Sequence, residues 1–289
     1  MAAAVVAREA FLGALERAST IDFSAYVLRR DSPVTRALER AAGRGAAVAV
    51  TLEGAPFGGS SAERGRIGKQ NRRAAAELAR HGVHVHVTRP AEGQVHMKAA
   101  IVDGTVFLDD RNWPADGRDT IVATSDPEDL RTVARALRGE DASDANLATG
   151  KSEALELEAQ AIYAAAGDRI DVESESFGSS PVSKALRYRA EHGAVVRLLV
   201  AASELGGPSR ATERAELRHL REAGVDVRVV NAGEKLCAGA DCGWVGSANA
   251  TYSFAPQADW GMLTRDAALL GALHAAFERN WDEGRTAAL

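Results

Sequence analysis

Chemistry-bearing residues gather in the stretch VHMKAAIVDGTVFLDDRNW, from Val95 to Trp113, where His96, Lys98 and Asp103 stand in the spacing H-x-K-x4-D. An imidazole is a good nucleophile near neutral pH and leaves readily from phosphorus. Strand alternation puts His96 and Lys98 on one face, so the ammonium can hold the phosphoryl oxygens that the imidazole attacks. An acid five places beyond the lysine can hold Nδ1–H and fix the tautomer, which gives Asp103 the orienting role. Such chemistry ordinarily uses a second histidine, and losing a general acid costs ~10²–10⁴ in rate. The histidines stand at 81, 84, 86, 96, 192, 219 and 274, and none sits in a second copy of the spacing.

The stretch belongs to a unit that occurs twice. IDFSAYVLRRDSPVTRALERAAGRGAAVAVTLEG, from Ile21, matches IDVESESFGSSPVSKALRYRAEHGAVVRLLVAAS, from Ile170. AELARHGVHVHV, from Ala76, matches AELRHLREAGVDVRVV, from Ala215, with a length difference. Each copy alternates strand and helix. Ser-Pro opens a helix in both, at Ser32 and Ser180, and Gly45 and Gly193 close it. β-Branched runs follow (AAVAVTL; AVVRLLV), then a second helix and a strand. A final strand and helix close each copy (TIVATSD-PEDLRTVARAL; WGMLTRD-AALLGALHAAF). The expected fold class is α/β: two tandem repeats related by a pseudo-twofold axis, each a mixed β-sheet with helices on both faces. The expected boundaries are residues 1–138 for the first repeat, 139–151 for a polar linker and 152–289 for the second. MAAAVVAREAFLGALERA reads as a first helix, and SEALELEAQAIYAAA as the helix that opens the second repeat. A site at one edge of such a unit would lie at the interface between the repeats.

In the second repeat the counterpart of the opening stretch is AGEKLCAGADCGWVGSANA, Ala232 to Ala250. Lys98 falls on Lys235, Phe107 on Trp244 and Asn112 on Asn249. His96 falls on Gly233 and Asp103 on Ala240, with Asp241 one place late. Asp109-Asp110 falls on Gly246-Ser247.

With these motifs the chain resembles the phospholipase D superfamily, the HKD phosphodiesterases, over nearly its whole length. The resemblance rests on HMKAAIVD, on Lys235 with GSAN at 246–249, on the duplicated unit and on FERNW around Trp281. It implies two H-x-K-x4-D motifs meeting at one site without metal or cofactor, and cleavage or exchange of phosphodiesters. His96, Lys98 and Asp103 are then the catalytic set. Lys235, Ser247, Asn249 and Asn112 would bind the substrate phosphate. Glu173 matches a glutamate common in the family, and with Glu175 it either faces the site or pairs with arginine. Asp259 falls where the family often has glutamate. The first repeat departs at Asp109-Asp110, where Gly-Ser is usual. Carboxylates there repel a phosphodiester and alter or block its binding; the less favoured alternative is that burial keeps one protonated as a substitute acid. The expected function is a phosphodiesterase or transphosphatidylase working through a His96 phosphoenzyme. The alternative is an impaired or inactive relative that binds a phosphate-containing ligand.

Composition sets wider bounds. The chain has 289 residues, 46% hydrophobic and 26% charged, as in a soluble globular protein. A net charge of −5 weighs against unspecific nucleic-acid binding, though lipid and nucleic-acid phosphodiesters both stay open as substrate. Cys237 and Cys242 make neither a disulfide framework nor a four-ligand zinc site, which suits a cytoplasmic protein with reduced thiols. No apolar run is long enough to span a membrane. A monomer is expected; a homodimer would be the other source of a second His96. TGKS at 149–152 resembles a P-loop tail, but Ala145 stands where the motif's first glycine would be. RGRIGKQNRR, residues 64–73, reads as a solvated helix start more than as an anion-binding rim, and His84 and His86 as the polar face of a strand.

Overall fold

The repeats follow from local signals that recur at matched places. A computed structural model describes residues 3–113, 118–206, 210–231, 233–252 and 256–286. The first repeat runs β1 (Ala4–Val6), α1 (Arg8–Arg17), β2 (Thr20–Ala25), α2 (Pro33–Gly43), β3 (Ala47–Leu52), α3 (Ser61–Arg80), β4 (His84–Val87), β5 (Gln94–Val95), β6 (Ala99–Val102), β7 (Thr105–Asp109), β8 (Ile121–Thr124) and α4 (Pro127–Leu137). The second runs β9 (Leu147–Gly150), α5 (Lys151–Ala164), β10 (Arg169–Ser174), α6 (Pro181–Glu191), β11 (Val195–Ala201), α7 (Ala211–Glu222), β12 (Asp226–Val230), β13 (Leu236–Ala238), β14 (Gly243–Gly246), β15 (Gln257–Thr264), α8 (Ala267–Glu283) and β16 (Arg285–Thr286). Ser32 caps α2 by accepting from the Thr35 N–H, and Ser180 caps α6 by accepting from the Ser183 N–H. Each is followed by proline at the first helical position, whose missing N–H costs nothing there. Gly45 and Gly193 take φ of 95° and 89° just past the same helices, a left-handed turn that a Cβ would disfavour.

The strands form two mixed sheets, ordered β1-β8-β7-β6-β2-β3-β4 and β16-β12-β11-β10-β13-β14-β15-β5, with β9 also paired to β15. β2-β3-β4 and β10-β11-β12 are parallel, and β6 and β13 run antiparallel to β2 and β10. The helices flank the sheets. Phe11, Phe23 and Trp113 fill the core under α1 and α2, with Phe11 stacked on Trp113 at 4.6 Å. Ile162, Leu186 and Leu217 fill its counterpart in the second repeat. A third core is shared: Met97, Val106 and Leu108 from the first repeat pack with Leu236, Trp260 and Phe277 from the second.

Three segments differ from the sequence expectation. Ala4–Val6 is not helical but pairs antiparallel with β8, and helix α1 starts only at Arg8. The edge of β8 offers unpaired backbone groups, and the β-branched pair Val5-Val6 meets them better than it would extend a helix. Within the polar run Gly139–Lys151, Leu147–Gly150 is buried strand β9, and Lys151 already belongs to α5. Most consequential, β5 leaves its own repeat and pairs in parallel with β15, Gln94 beside Gln257 and Val95 beside Ala258. Among the described residues no helix is long and apolar enough to cross a membrane.

Trp260 is fully buried in the shared core and donates Nε1–H to the Asp109 carbonyl at 3.0 Å, so it joins both repeats by packing and by hydrogen bond. Trp260→Ala is expected to lower unfolding free energy by about 3–5 kcal/mol, read from denaturant titration, through the cavity it leaves.

Candidate active site between the repeats

The strand exchange builds the site. His96 follows β5, and its N–H donates to the Ala258 carbonyl at 2.8 Å, extending the β5–β15 ladder by one residue. Glu53 fixes the approach by accepting from the Val95 N–H at 2.7 Å. His96 then lies beside Asp259, the next residue of β15, and its Nδ1 sits 2.8 Å from Asp259 Oδ1. With Asp259 ionised, Nδ1 carries the proton and Nε2 keeps its lone pair. Ser247 donates its hydroxyl to Asp259 Oδ1 at 2.6 Å while accepting from the Trp260 N–H, and Gln257 donates to Oδ2. Every acceptor of the orienting carboxylate is thus directed.

The electrostatics favour an anion. Lys98 is fully buried, with Nζ 3.0 Å from each ring nitrogen of His96. Burial and the neighbouring charge of Lys235 lower its pKa to about 7. Burial, then Lys98, lower His96 to about 4, against the pull of Asp259, so the imidazole is neutral at pH 7. Burial would raise Asp259, but His96, Lys98 and Lys151 outweigh it and hold the carboxyl at about 2. Two ammonium groups that repel one another under a cleft are relieved by a bound phosphoryl group.

Lys235 enters from the second repeat. Its Nζ donates to the carbonyls of Asp110 and Gly233 at 3.1 and 3.0 Å and pairs with Glu175 Oε2 at 3.2 Å. Asn249 Nδ2 reaches the same Glu175 oxygen at 3.5 Å. Burial would raise Glu175, but Lys235, Lys98 and His96 overcome it and bring it to about 2. A cleft of about 550 Å³ opens over this group, lined by Tyr26, Phe57, His96, Lys151, Glu175 and Asn249 among others. The Tyr26 ring meets His96 edge-on at 4.9 Å.

The structure therefore brings together His96, Lys98, Lys235, Ser247, Asn249 and Glu175, and leaves out other expected residues. Asp103 does not orient His96. It sits in the exposed β6–β7 turn at φ 46°, and its carboxylate accepts from the Ser19 and Thr20 N–H groups at 2.8–3.1 Å. The β6 strand carries it to the far end from His96, so its role is to tie the turn to the start of β2. Asp241 does the matching job in the second repeat, accepting from the Ala166 N–H at 2.7 Å just before β10. Asn112 does not line the cleft, and its Oδ1 is buried without a partner. Glu173 lies within β10 and Glu175 just past its end, and the two part company. Glu173 turns inward to Asn280 at 2.9 Å, and burial with Glu234 beside it pushes its carboxyl well up.

Asp109 and Asp110 also face inward, so neither lines the cleft. Asp109 accepts from the Trp113 N–H at 2.6 Å. Asp110 accepts from the Thr120 N–H at 2.8 Å and the Lys235 N–H at 3.2 Å. Burial, Asp110 and Asp119 drive Asp109 well above the carboxylate range, and burial with Glu234 raises Asp110 to about 8.

Lys151, Tyr26 and Gln257 carried no signal for this site in the sequence. Lys151, in the segment that resembles a P-loop tail, reaches Thr251 Oγ1 at 3.0 Å on the cleft wall. Asp259 had a positional signal, but only the sheet pairing shows its partner. The one three-donor group within metal-binding distance among the described residues, Glu39, Glu77 and His81, involves α2 and α3 and not the cleft.

Residues 12–131 match the family described as cardiolipin synthase, PLD-like domain. The first repeat thus carries a phospholipase D-like domain. The fold of the whole chain is that of two-repeat phospholipase D-like proteins. Phosphatidylserine synthase from Haemophilus influenzae Rd KW20 aligns with a TM-score of 0.67 at 12% identity, over 99% of this chain and 87% of that one. Polyphosphate kinase from Porphyromonas gingivalis gives 0.65 at 17%, over 97% of this chain and 50% of that one, so this chain spans half the kinase's length. Yeast tyrosyl-DNA phosphodiesterase gives 0.50 at 10%, over 93% and 90%. At these identities the likeness is one of fold. No curated protein matches the sequence.

Two outcomes follow for this phospholipase D-like site. Acidification should weaken the fold through His96: its imidazole protonates at about 6.5 when unfolded and about 4 when folded. The unfolded chain therefore binds the extra proton between those values, and about 2 kcal/mol is lost from pH 7 to pH 5. Denaturant titrations at both pH values should show a smaller loss in His96→Asn. Asp259→Asn should move the His96 NMR titration lower still, because the wild-type carboxylate raises it, whereas Asp103→Ala should leave that titration in place and lower only Tm.

Proposed function

We propose that this chain cleaves or exchanges a phosphodiester through a covalent phosphoryl group on His96. The observation that carries the proposal is the His96–Asp259 pair formed between repeats, with Lys98 and Lys235 beneath the same cleft. Asp259 holds Nδ1–H, which aims the Nε2 lone pair at phosphorus. Lys98 holds the non-bridging oxygens, Lys235 adds its positive charge from beneath the cleft, and Asn249 adds a donor. Ser247 acts through Asp259 and not on the substrate, since its hydroxyl is committed to that carboxylate. The phospholipase D-like domain matched over residues 12–131 supports the phosphodiester class and leaves lipid and nucleic-acid substrates both open.

Turnover of bis(p-nitrophenyl) phosphate tests this directly. His96→Asn should reduce it to background. Asp259→Asn should cost ~10²–10⁴ in kcat, and Lys98→Met or Lys235→Met ~10²–10³. Equal rates for wild type and His96→Asn would sink the proposal and leave a phosphate-binding protein as the reading.

A further inference from the structure

Glu175 packs over the second-repeat position that matches His96. Gly233 stands at the position matching His96. A Cβ built there would meet Glu175 Cβ and Cγ at 3.5 Å and Cδ at 3.7 Å. Those are ordinary van der Waals contacts, so the Glu175 side chain packs directly over the Gly233 position. Glu175 comes from the second repeat, just past β10, where Tyr26 stands just past β2. Its carboxylate is half-buried, lines the cleft with His96, and pairs with Lys235 and Asn249.

We propose that Glu175 replaces the second histidine as the general base that activates the water or alcohol releasing the phosphoryl group from His96. The proposal rests on His96 as nucleophile. In-line displacement puts entering and departing atoms on opposite sides of phosphorus. Lys98 lies at the His96 nitrogens and so belongs to the nucleophile's side; Glu175 stands on the wall built by the second repeat. In the first half-reaction a bond forms from Nε2 to phosphorus and the P–O bond to the leaving group breaks, its electron pair departing with that oxygen. In the second, the oxygen of water or an alcohol bonds to phosphorus as the N–P bond breaks and the pair returns to Nε2. The proton of the entering hydroxyl passes to Glu175 and then to solvent.

This makes the two halves unequal. Lys235 and Lys98 keep Glu175 ionised in the empty site, with a pKa of about 2, so it holds no proton to give; a phosphoryl group that takes up the charge of both lysines loosens that hold and raises its basicity. A histidine in that position could serve as acid and base in turn. The chain should therefore favour substrates whose leaving group departs as a stabilised anion, such as an aryl oxide or a phosphate, over simple alkyl diesters. Asp109 and Asp110 do not supply the missing acid, because both are turned away from the cleft.

Rapid-quench kinetics with bis(p-nitrophenyl) phosphate separates the halves. Wild type and Glu175→Gln should both release a first equivalent of nitrophenolate. Steady-state turnover of the variant should then fall ~10²–10⁴-fold, with phosphorylated His96 accumulating and detected by mass spectrometry. Glu175→Ala leaves room beside Gly233, and added formate should restore its second phase without changing the burst. The proposal is overturned if Glu175→Gln turns over at the wild-type rate, or if burst and steady state fall together while formate restores neither. A wild type that turns over without any His96 adduct would overturn the nucleophile reading as well, so the two failures are distinct.

Discussion

The hydrogen-bonded junction of β5 with β15 is the constraint on which the site depends. Two residues of the first repeat, Gln94 and Val95, complete the edge of the second repeat's sheet. That pairing sets His96 beside Asp259, and no contact within either repeat would do so. The shared core under it, with Trp260 and Met97 packed together, makes the junction expensive to open. A histidine held by its partner repeat needs both sheets in register, so stability and the geometry of the site are coupled through the same few backbone bonds.

The pseudo-twofold axis sets up two equivalent places, and the chain has used them differently. On one side Tyr26 follows β2 and its ring meets the imidazole of His96. On the other Glu175 follows β10 and its side chain covers Gly233. Asp259 is oriented by Ser247 and Gln257 and orients His96. Its counterpart Asp119, next to Thr120 before β8, has no imidazole to hold, and its pKa is raised by burial. Asp109, where the second repeat has Gly246, is buried with it. The two sides of the interface therefore differ: one places a carboxylate in the cleft wall, and the other turns a set of acids inward.

Much of this was legible from residue types. Ser-Pro caps, glycine stops and β-branched runs are local signals with local causes, and the elements form where they stand. The pairing of Lys98 with Lys235 and Ser247 with Asp110 followed from repeat alignment. Two assignments failed for one reason. Asp103 looked like the orienting acid because spacing along the chain was read as proximity in space, yet a strand of four residues, β6, separates the turn from the lysine. Ala240 looked like a lost acid, although Asp241 keeps the turn tied to the strand start. The aspartate of the motif is a fold residue in both repeats.

The sequence by itself determined most of the elements, their duplication and the fold class, and it singled out His96, Lys98 and Lys235 as candidates that the structure brings together. These depend on local propensity and on a pattern repeated within one chain. Only the tertiary structure decided which carboxylate meets which base. Asp259 lies 163 residues from His96, and Glu175 follows β10 while Gly233 precedes β13. Backbone pairing between distant strands sets such meetings, and burial then sets the protonation states. Neither a sheet edge's partner nor the dielectric around a side chain is written in the spacing of residues along one segment.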